Sequence, residues 1–123
     1  MPDEMYFFDT YAIIDILKGN PSYNNYKDKK AIITKLNIFE LFYSTLNEQG
    51  EEAAEKSIAL YYPLVVEYGE DIIKEAAKFR LLHKKQDLSM TDCIGYIIAK
   101  KLNVKFLTGD KEFHNMPNVE FVK

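Results

Sequence analysis

Four acidic residues stand at the end of an apolar run or near the start of a helical run, where an unpaired carboxylate is costly to bury. They are Asp9, Glu40, Asp92 and Asp110. Carboxylate oxygens drawn from the whole chain suit a hard divalent cation such as Mg²⁺ or Mn²⁺. A cation of this kind activates water and stabilises the charge on a phosphate. The pattern therefore indicates metal-dependent hydrolysis of phosphodiester bonds.

Short apolar runs alternate with helical patterns, which predicts a parallel sheet with helices on both faces. The predicted strands are 5–9, 31–34, 64–67, 104–108 and, at the sheet edge, 119–122. The predicted helices are 11–17, 22–27, one from Asn37 to Gly50, one through Ala54, Ile58 and Tyr61, 71–84, and one from Ser89. We therefore expect one α/β domain over residues 1–123, with a central parallel sheet of four to five strands.

The predicted sheet would bring the four carboxylates to one edge. Sites in open parallel sheets lie beyond the C-terminal ends of the strands. Asp9 and Asp110 each follow a predicted strand, and Glu40 and Asp92 are expected in the first turns of helices that begin near the same edge. All four side chains could therefore meet without an unusual topology.

Each of these residues also has a purely structural interpretation. Ser89-Met-Thr-Asp92 fits a capping box, Asn37-Ile-Phe-Glu40 is a looser version of it, and Gly109-Asp110 is a common turn pair. Capping alone explains neither Asp9, which directly ends an aromatic strand, nor Glu40, which lies between Phe39 and Leu41. The four together favour a shared site.

The composition limits the classes of protein and the compartment. The net charge is −3 and the pI is about 5.4, with Arg80 the only arginine, so general nucleic-acid binding through a basic surface is not expected. The single cysteine, Cys93, allows no internal disulfide and lies among apolar residues, as a buried small side chain would. The acidic start Met1–Met5 lacks the pattern of a signal peptide, and no apolar run reaches about 20 residues. We therefore predict a cytoplasmic protein without membrane association.

An ordered set of motifs covers nearly the whole chain. These are Asp9-Thr10 after an apolar strand, Glu40-Leu41 at a helix start, Ser89-x-Thr-Asp92 followed by Ala99, and Leu107-Thr-Gly-Asp110-Lys-x-Phe113. In order and spacing this set resembles the PIN-domain family. The chain is also similar in size to the single-domain VapC-type toxins of prokaryotic toxin–antitoxin pairs.

The resemblance implies an Mg²⁺- or Mn²⁺-dependent endoribonuclease that acts on RNA, forms a homodimer and is inhibited by a cognate antitoxin protein. It assigns the catalytic and metal-ligating roles to the four carboxylates already named. It adds two supporting candidates, namely Thr108 and Thr10, which is expected to help orient Asp9. Glu112 is a third candidate because it is close to Asp110 in the chain. The resemblance also shows a departure, because Gly109 stands where many relatives carry arginine.

Other functions stay open at this stage. A PIN-like fold could act as a non-catalytic binding or scaffold module, with the carboxylates holding a structural ion. It could equally be a housekeeping RNA-processing nuclease rather than a toxin. A phosphoacceptor domain of receiver type fits less well, because such domains carry an acidic pair after the first strand and here Asp9 is followed by Thr10.

Overall fold

The central sheet has four parallel strands in the part of the chain that the structure describes. A computed structural model describes residues 4–123, so the start of the acidic segment Met1–Met5 lies outside it. The strands are β1 Met5–Phe8, β2 Lys30–Ile32, β3 Lys105–Thr108 and β4 Val119–Phe121. Their order across the sheet is β2-β1-β3-β4, and all neighbouring pairs are parallel. The predicted α/β class and the parallel sheet are confirmed.

Five α-helices within residues 4–123 surround this sheet. They are α1 Thr10–Leu17, α2 Lys35–Gln49, α3 Glu51–Tyr61, α4 Glu70–Leu82 and α5 Met90–Lys101. Short 3-10 helices cover Pro21–Tyr23, Tyr62–Leu64 and Lys111–Phe113. None of the helices in residues 4–123 has the length and apolar character that crossing a membrane requires.

The predicted strand 64–67 is wrong. Residues Tyr62–Leu64 form a 3-10 helix that contains Pro63. The segment that follows makes only one isolated parallel bridge to the sheet, between Val65 and Ile33. Leu64, the first residue of the predicted strand, still belongs to this 3-10 helix, so pairing with the sheet begins only at Val65.

Two helix predictions also need correction. The predicted helix 22–27 is only the 3-10 helix Pro21–Tyr23, followed by turns. The N-cap of α2 is Thr34, three residues before Asn37, so the helix begins at Lys35. The Thr34 hydroxyl accepts from the backbone N–H of Asn37, and the Asn37 side chain accepts from the backbone N–H of Thr34. This reciprocal arrangement is a capping box.

Alternating residues of the sheet fill two separate apolar cores. Phe7 and Phe106 face α4 and α5, and their rings stack with centroids 5.7 Å apart. Phe8 and Leu107 face α1 and α2 on the other side. Helix α5 approaches the first face closely at Gly95, where an added Cβ would lie 2.5 Å from Phe7 Cε1. Both faces of the sheet are therefore buried, as expected for parallel strands.

The strand order creates a crevice at one place on the sheet edge. From β1 the chain runs first to β2 on one side, and later returns to place β3 on the other side of β1. The C-terminal edge between β1 and β3 is thus a topological switch point, where ligands bind in folds of this kind. Asp9 directly follows β1 and Gly109 directly follows β3.

Candidate active site

Asp9 and Thr108 meet across the crevice. The Thr108 hydroxyl donates a hydrogen bond of 2.7 Å to Asp9 Oδ2. The same hydroxyl oxygen accepts a hydrogen bond of 3.0 Å from the backbone N–H of Asp110. Asp9 is only 3% exposed and Thr108 is fully buried. Thr108 therefore connects the carboxylate of Asp9 to the backbone of Asp110 and holds Asp9 in one orientation.

Asp9 is a buried carboxylate among like charges. Burial is the main reason that its pKa lies well above the ordinary value, and the negative charges of Asp92 and then Glu40 raise the pKa further. Hydrogen bonds from the Thr108 hydroxyl and the Thr10 backbone lower the pKa, but they do not offset the increase. Desolvation and repulsion both disfavour the ionised form, so this position would be stabilised by a cation.

Glu40 is held by Thr10. The Thr10 hydroxyl donates to Glu40 Oε1 at 2.6 Å. The sequence predicts Glu40 in the first turn of its helix and indicates that Thr10 helps to orient Asp9. The predicted position of Glu40 needs correction, because α2 starts at Lys35, which places Glu40 in the second turn. The Thr10 backbone bonds to Asp9, while the Thr10 side chain bonds to Glu40.

Asp92 lies in the first turn of α5, as predicted, and takes part in a capping box with Ser89. The Ser89 backbone N–H donates to Asp92 Oδ2, and the Asp92 backbone N–H donates to the Ser89 hydroxyl, each at 3.0 Å. Burial raises the pKa of Asp92, the bonds from Ser89 oppose this, and the charges of Asp110 and Glu40 add to the increase. The structural and electrostatic roles of Asp92 therefore coexist.

Asp110 caps the 3-10 helix Lys111–Phe113. Its Oδ1 accepts a hydrogen bond of 3.0 Å from the backbone N–H of Glu112. The backbone carbonyl of Glu112 accepts from the Gln86 side chain, also at 3.0 Å. Glu112 thus supports Asp110 through its backbone.

The structure brings all four carboxylates to the same edge of the sheet, where the charges of Asp92 and Glu40 raise the pKa of Asp9 and those of Asp110 and Glu40 raise the pKa of Asp92. Within residues 4–123, however, no three acidic, histidine or cysteine side chains form a ready-made set of metal ligands. Each carboxylate instead accepts hydrogen bonds from nearby hydroxyl or backbone groups, as described above. The donor set consists of hard oxygen atoms and fits Mg²⁺ or Mn²⁺ chemically.

Sequence reasoning missed two contacts at the site, one made by Asn37 and one by Tyr11. Asn37 is 1% exposed and donates to Thr10 Oγ1 at 3.0 Å. The ring of Tyr11 packs over Gly109, where an added Cβ would lie 2.4 Å from Tyr11 Cε1. Gly109 is the position at which this chain departs from many relatives. The Tyr11 ring occupies the space that a side chain at this position would need.

The fold and this edge define a class of protein, namely parallel α/β domains with a carboxylate-rich site at the switch point. The PIN domain profile matches residues 6–119. The chain therefore belongs to the PIN domain family. Comparison with curated protein sequences gives no significant match.

Solved structures with the same fold include toxins and their complexes. A toxin–antitoxin complex from Klebsiella pneumoniae has a TM-score of 0.74 at 18% identity, covering 94% of this chain and 95% of that one. The Sarcin-Ricin loop cleaving toxin VapC20 from Mycobacterium tuberculosis has a TM-score of 0.77 at 15% identity, covering 96% and 99%. VapBC2 from Rickettsia felis, bound to a DNA fragment from its promoter, has a TM-score of 0.73 at 18% identity, covering 97% and 99%. At these identities the likeness establishes the fold.

Proposed function

We propose that this protein is a metal-dependent endoribonuclease that hydrolyses phosphodiester bonds of RNA and serves as the toxin of a type II toxin–antitoxin pair. The observation that carries the proposal is the setting of Asp9. This carboxylate is almost fully buried at the switch point, and other carboxylates act on it electrostatically. A fold gains nothing in stability from such an arrangement, because it combines desolvation with repulsion.

The surrounding charges support a bound cation. Within residues 4–123, none of the ion pairs involves any of the four carboxylates, and the pairs found lie at exposed positions elsewhere. Asp9, Asp92 and Asp110 would hold Mg²⁺ or Mn²⁺, and Glu40 would join them or face the attacking water. When bound, the cation would supply Lewis-acid stabilisation of phosphate charge and a more acidic water.

The chain's own residues have separate tasks in this proposal. Thr108 holds Asp9 and the loop of Asp110 in place through its two hydrogen bonds. Thr10 holds one oxygen of Glu40, so the other oxygen is free to accept a proton from the attacking water. The acidic site explains why RNA binding without a divalent cation would be weak.

RNA cleavage by purified protein tests this function. The wild type should cleave RNA with Mg²⁺ or Mn²⁺, and EDTA should abolish the cleavage. Asp92→Asn keeps the shape of the side chain but removes a ligand charge, so the rate should fall by orders of magnitude. Asp71→Asn changes an exposed acidic residue in the first turn of α4 and is the matched control. Cleavage by Asp92→Asn at the wild-type rate would contradict the proposed site.

If the wild type binds Mn²⁺ but cleaves no RNA under any condition, the protein is a non-catalytic scaffold. A housekeeping nuclease is the outcome if the wild type cleaves RNA but no cognate antitoxin restrains it. Both alternatives share the fold, so only these measurements separate them from a toxin.

The toxin assignment is supported by the complexes among the structural relatives and by an apolar surface on α2. Phe39 and Tyr43 are 71% and 65% exposed, and their rings stack with centroids 6.4 Å apart. They line an open groove of about 400 Å³ together with Phe42 and Ile58. An amphipathic segment of an antitoxin would bury these side chains, and an arginine or lysine from it would pair with the carboxylates.

Co-expression with the protein encoded by the neighbouring reading frame tests the partner. The antitoxin should copurify and suppress cleavage, and Phe39→Ala should weaken the complex without altering cleavage by the isolated protein. A neighbour that binds without reducing cleavage would contradict the assignment.

We also propose that the protein is a homodimer in the cytoplasm. Light scattering tests the oligomeric state, and a monomer at micromolar concentration would exclude the dimer.

A further inference from the structure

Asn37 lies beneath the site in an orientation that its neighbours determine. Its Oδ1 accepts hydrogen bonds from the backbone N–H of Thr34 at 2.9 Å and from the Thr34 hydroxyl at 2.8 Å. A backbone N–H can only donate, so the oxygen and not the nitrogen of the amide must face Thr34. Asn37 and Thr34 are each 1% exposed, so water does not compete for these bonds.

The fixed amide determines the direction of the next two hydrogen bonds. Asn37 Nδ2 faces Thr10 Oγ1 at 3.0 Å and must donate to it. The hydroxyl of Thr10 has one hydrogen, which it donates to Glu40 Oε1 at 2.6 Å. Every donor in the series Thr34, Asn37, Thr10 therefore points toward Glu40. A reversed series would leave the buried amide facing another donor, which is unfavourable.

We propose that Asn37 is a positioning residue that acts through Thr10 to keep Glu40 in one orientation, with Oε1 as a hydrogen-bond acceptor. This inference rests on the proposed metal-dependent nuclease function. Asn37 lies three residues before Glu40 on α2, so the register of the helix aligns the two side chains toward Thr10. The capping box that starts α2 thus also orients a residue of the site.

The proposal predicts a specific pattern for substitutions at Thr10. Thr10→Ser keeps the hydroxyl and should stay near the wild type. Thr10→Val keeps the shape but has no donor, which releases Glu40. Cleavage should then fall about 10- to 100-fold, and the Mn²⁺ concentration for half-maximal binding should rise by a similar factor, as for other groups that orient metal ligands.

Asn37→Asp provides a second variant. It retains an oxygen for Thr34 but presents an acceptor instead of a donor to Thr10, which diverts the hydroxyl away from Glu40. Asn47→Asp makes the same change at an exposed position of α2 and is the matched control. Circular dichroism and thermal melting would show whether each variant is folded. If Asn37→Asp does not fold, the Thr10 pair still tests the bond to Glu40 through which Asn37 is proposed to act.

Two independent readouts are needed, namely Mn²⁺ affinity by calorimetry and RNA cleavage. Loss in Thr10→Val with retention in Thr10→Ser, at equal melting temperature, supports the proposal. Equal Mn²⁺ affinity and equal cleavage in the two Thr10 variants would overturn it and leave the nuclease function intact. A wild type that binds Mn²⁺ without cleaving RNA refutes the nuclease function, and the affinity readout then decides the role of Asn37. A wild type that shows neither activity overturns both proposals.

Discussion

Replacing Gly109 with alanine should destabilise the protein through steric overlap at the site. The added Cβ would lie 2.4 Å from Tyr11 Cε1, 2.5 Å from the backbone oxygen of Val122 and 2.8 Å from the Tyr23 hydroxyl oxygen. Tyr11 is 44% exposed and can move aside. The Val122 oxygen cannot move easily, because it accepts a hydrogen bond from Tyr23 and because the Val122 N–H bonds to Thr108.

The size of the effect follows from these contacts. Overpacking of a well-packed region costs about 1–3 kcal/mol. Gly109 has no left-handed backbone conformation, so strain from φ adds nothing to this cost. With an unfolding entropy of about 2.1 cal/mol/K per residue, each kcal/mol lowers the Tm of a chain of 123 residues by about 4 °C. Gly109→Ala should therefore lower the Tm by about 4–12 °C.

Thermal unfolding followed by circular dichroism measures this change, with Gly69→Ala as the matched control. At Gly69 the nearest atom to an added Cβ is Asp71 Oδ1 at 3.6 Å, an ordinary contact. Gly69 is the N-cap of α4, so alanine there should cost no more than about 1 kcal/mol. Cleavage should fall only for Gly109→Ala, since Asp110 is its neighbour in the chain. A Tm loss no larger than that of Gly69→Ala would refute the reasoning.

Three further predictions concern the charges and the core. Burial and neighbouring charges raise the pKa of Asp9, so its stabilising contribution is present below the ordinary pKa of 3.8 and is lost as the pH rises through the folded value. In EDTA, the free energy of unfolding measured with urea should fall above pH 3.8 more steeply for the wild type than for Asp9→Asn. The difference in slope should be up to about 1.4 kcal/mol per pH unit for each proton. Parallel pH profiles would contradict this. Thr108→Val removes a bond that lowers the pKa of Asp9, so the acid limb of the rate–pH profile should move to higher pH, and an unmoved limb would count against the contact. Gly95→Ala should lower the Tm because the added Cβ would overlap Phe7. The overpacking costs about 1–3 kcal/mol, and the higher helix propensity of alanine offsets about 1 kcal/mol of this cost. An unchanged or raised Tm would show that the Phe7 ring can move aside.

The position of the four carboxylates at one edge of the sheet could be predicted because strand ends and helix starts have local signals in the sequence. Asp9 and Asp110 follow aromatic or apolar strands, and Asp92 lies at the third position after a serine cap. Glu40 was placed in the wrong turn because both Thr34 and Asn37 are suitable caps. In the structure Thr34 is the cap and Asn37 is its partner in the capping box.

Other features had no local signal. The bond between Asn37 and Thr10 joins positions 27 residues apart, and the overlap of Tyr11 with Gly109 depends on how α1 packs against the loop after β3. The apolar run 64–67 has the composition of a strand, but the 3-10 turn through Pro63 limits its pairing to a single bridge. Periodicity describes which residues are buried, whereas these contacts depend on the relative placement of distant segments.

The hydrogen bond between Thr108 and Asp9 has a consequence for the timing of synthesis, because it joins residues 99 positions apart. Strand β1 pairs with β3, so the contact between Asp9 and Thr108 can form only after β3 has left the ribosome. At about 5–20 residues per second, these 123 residues take roughly 6–25 s to translate. Under the proposed function, a nascent toxin is harmless during that interval, and a product that terminates before β3 never acquires the ability to cut RNA.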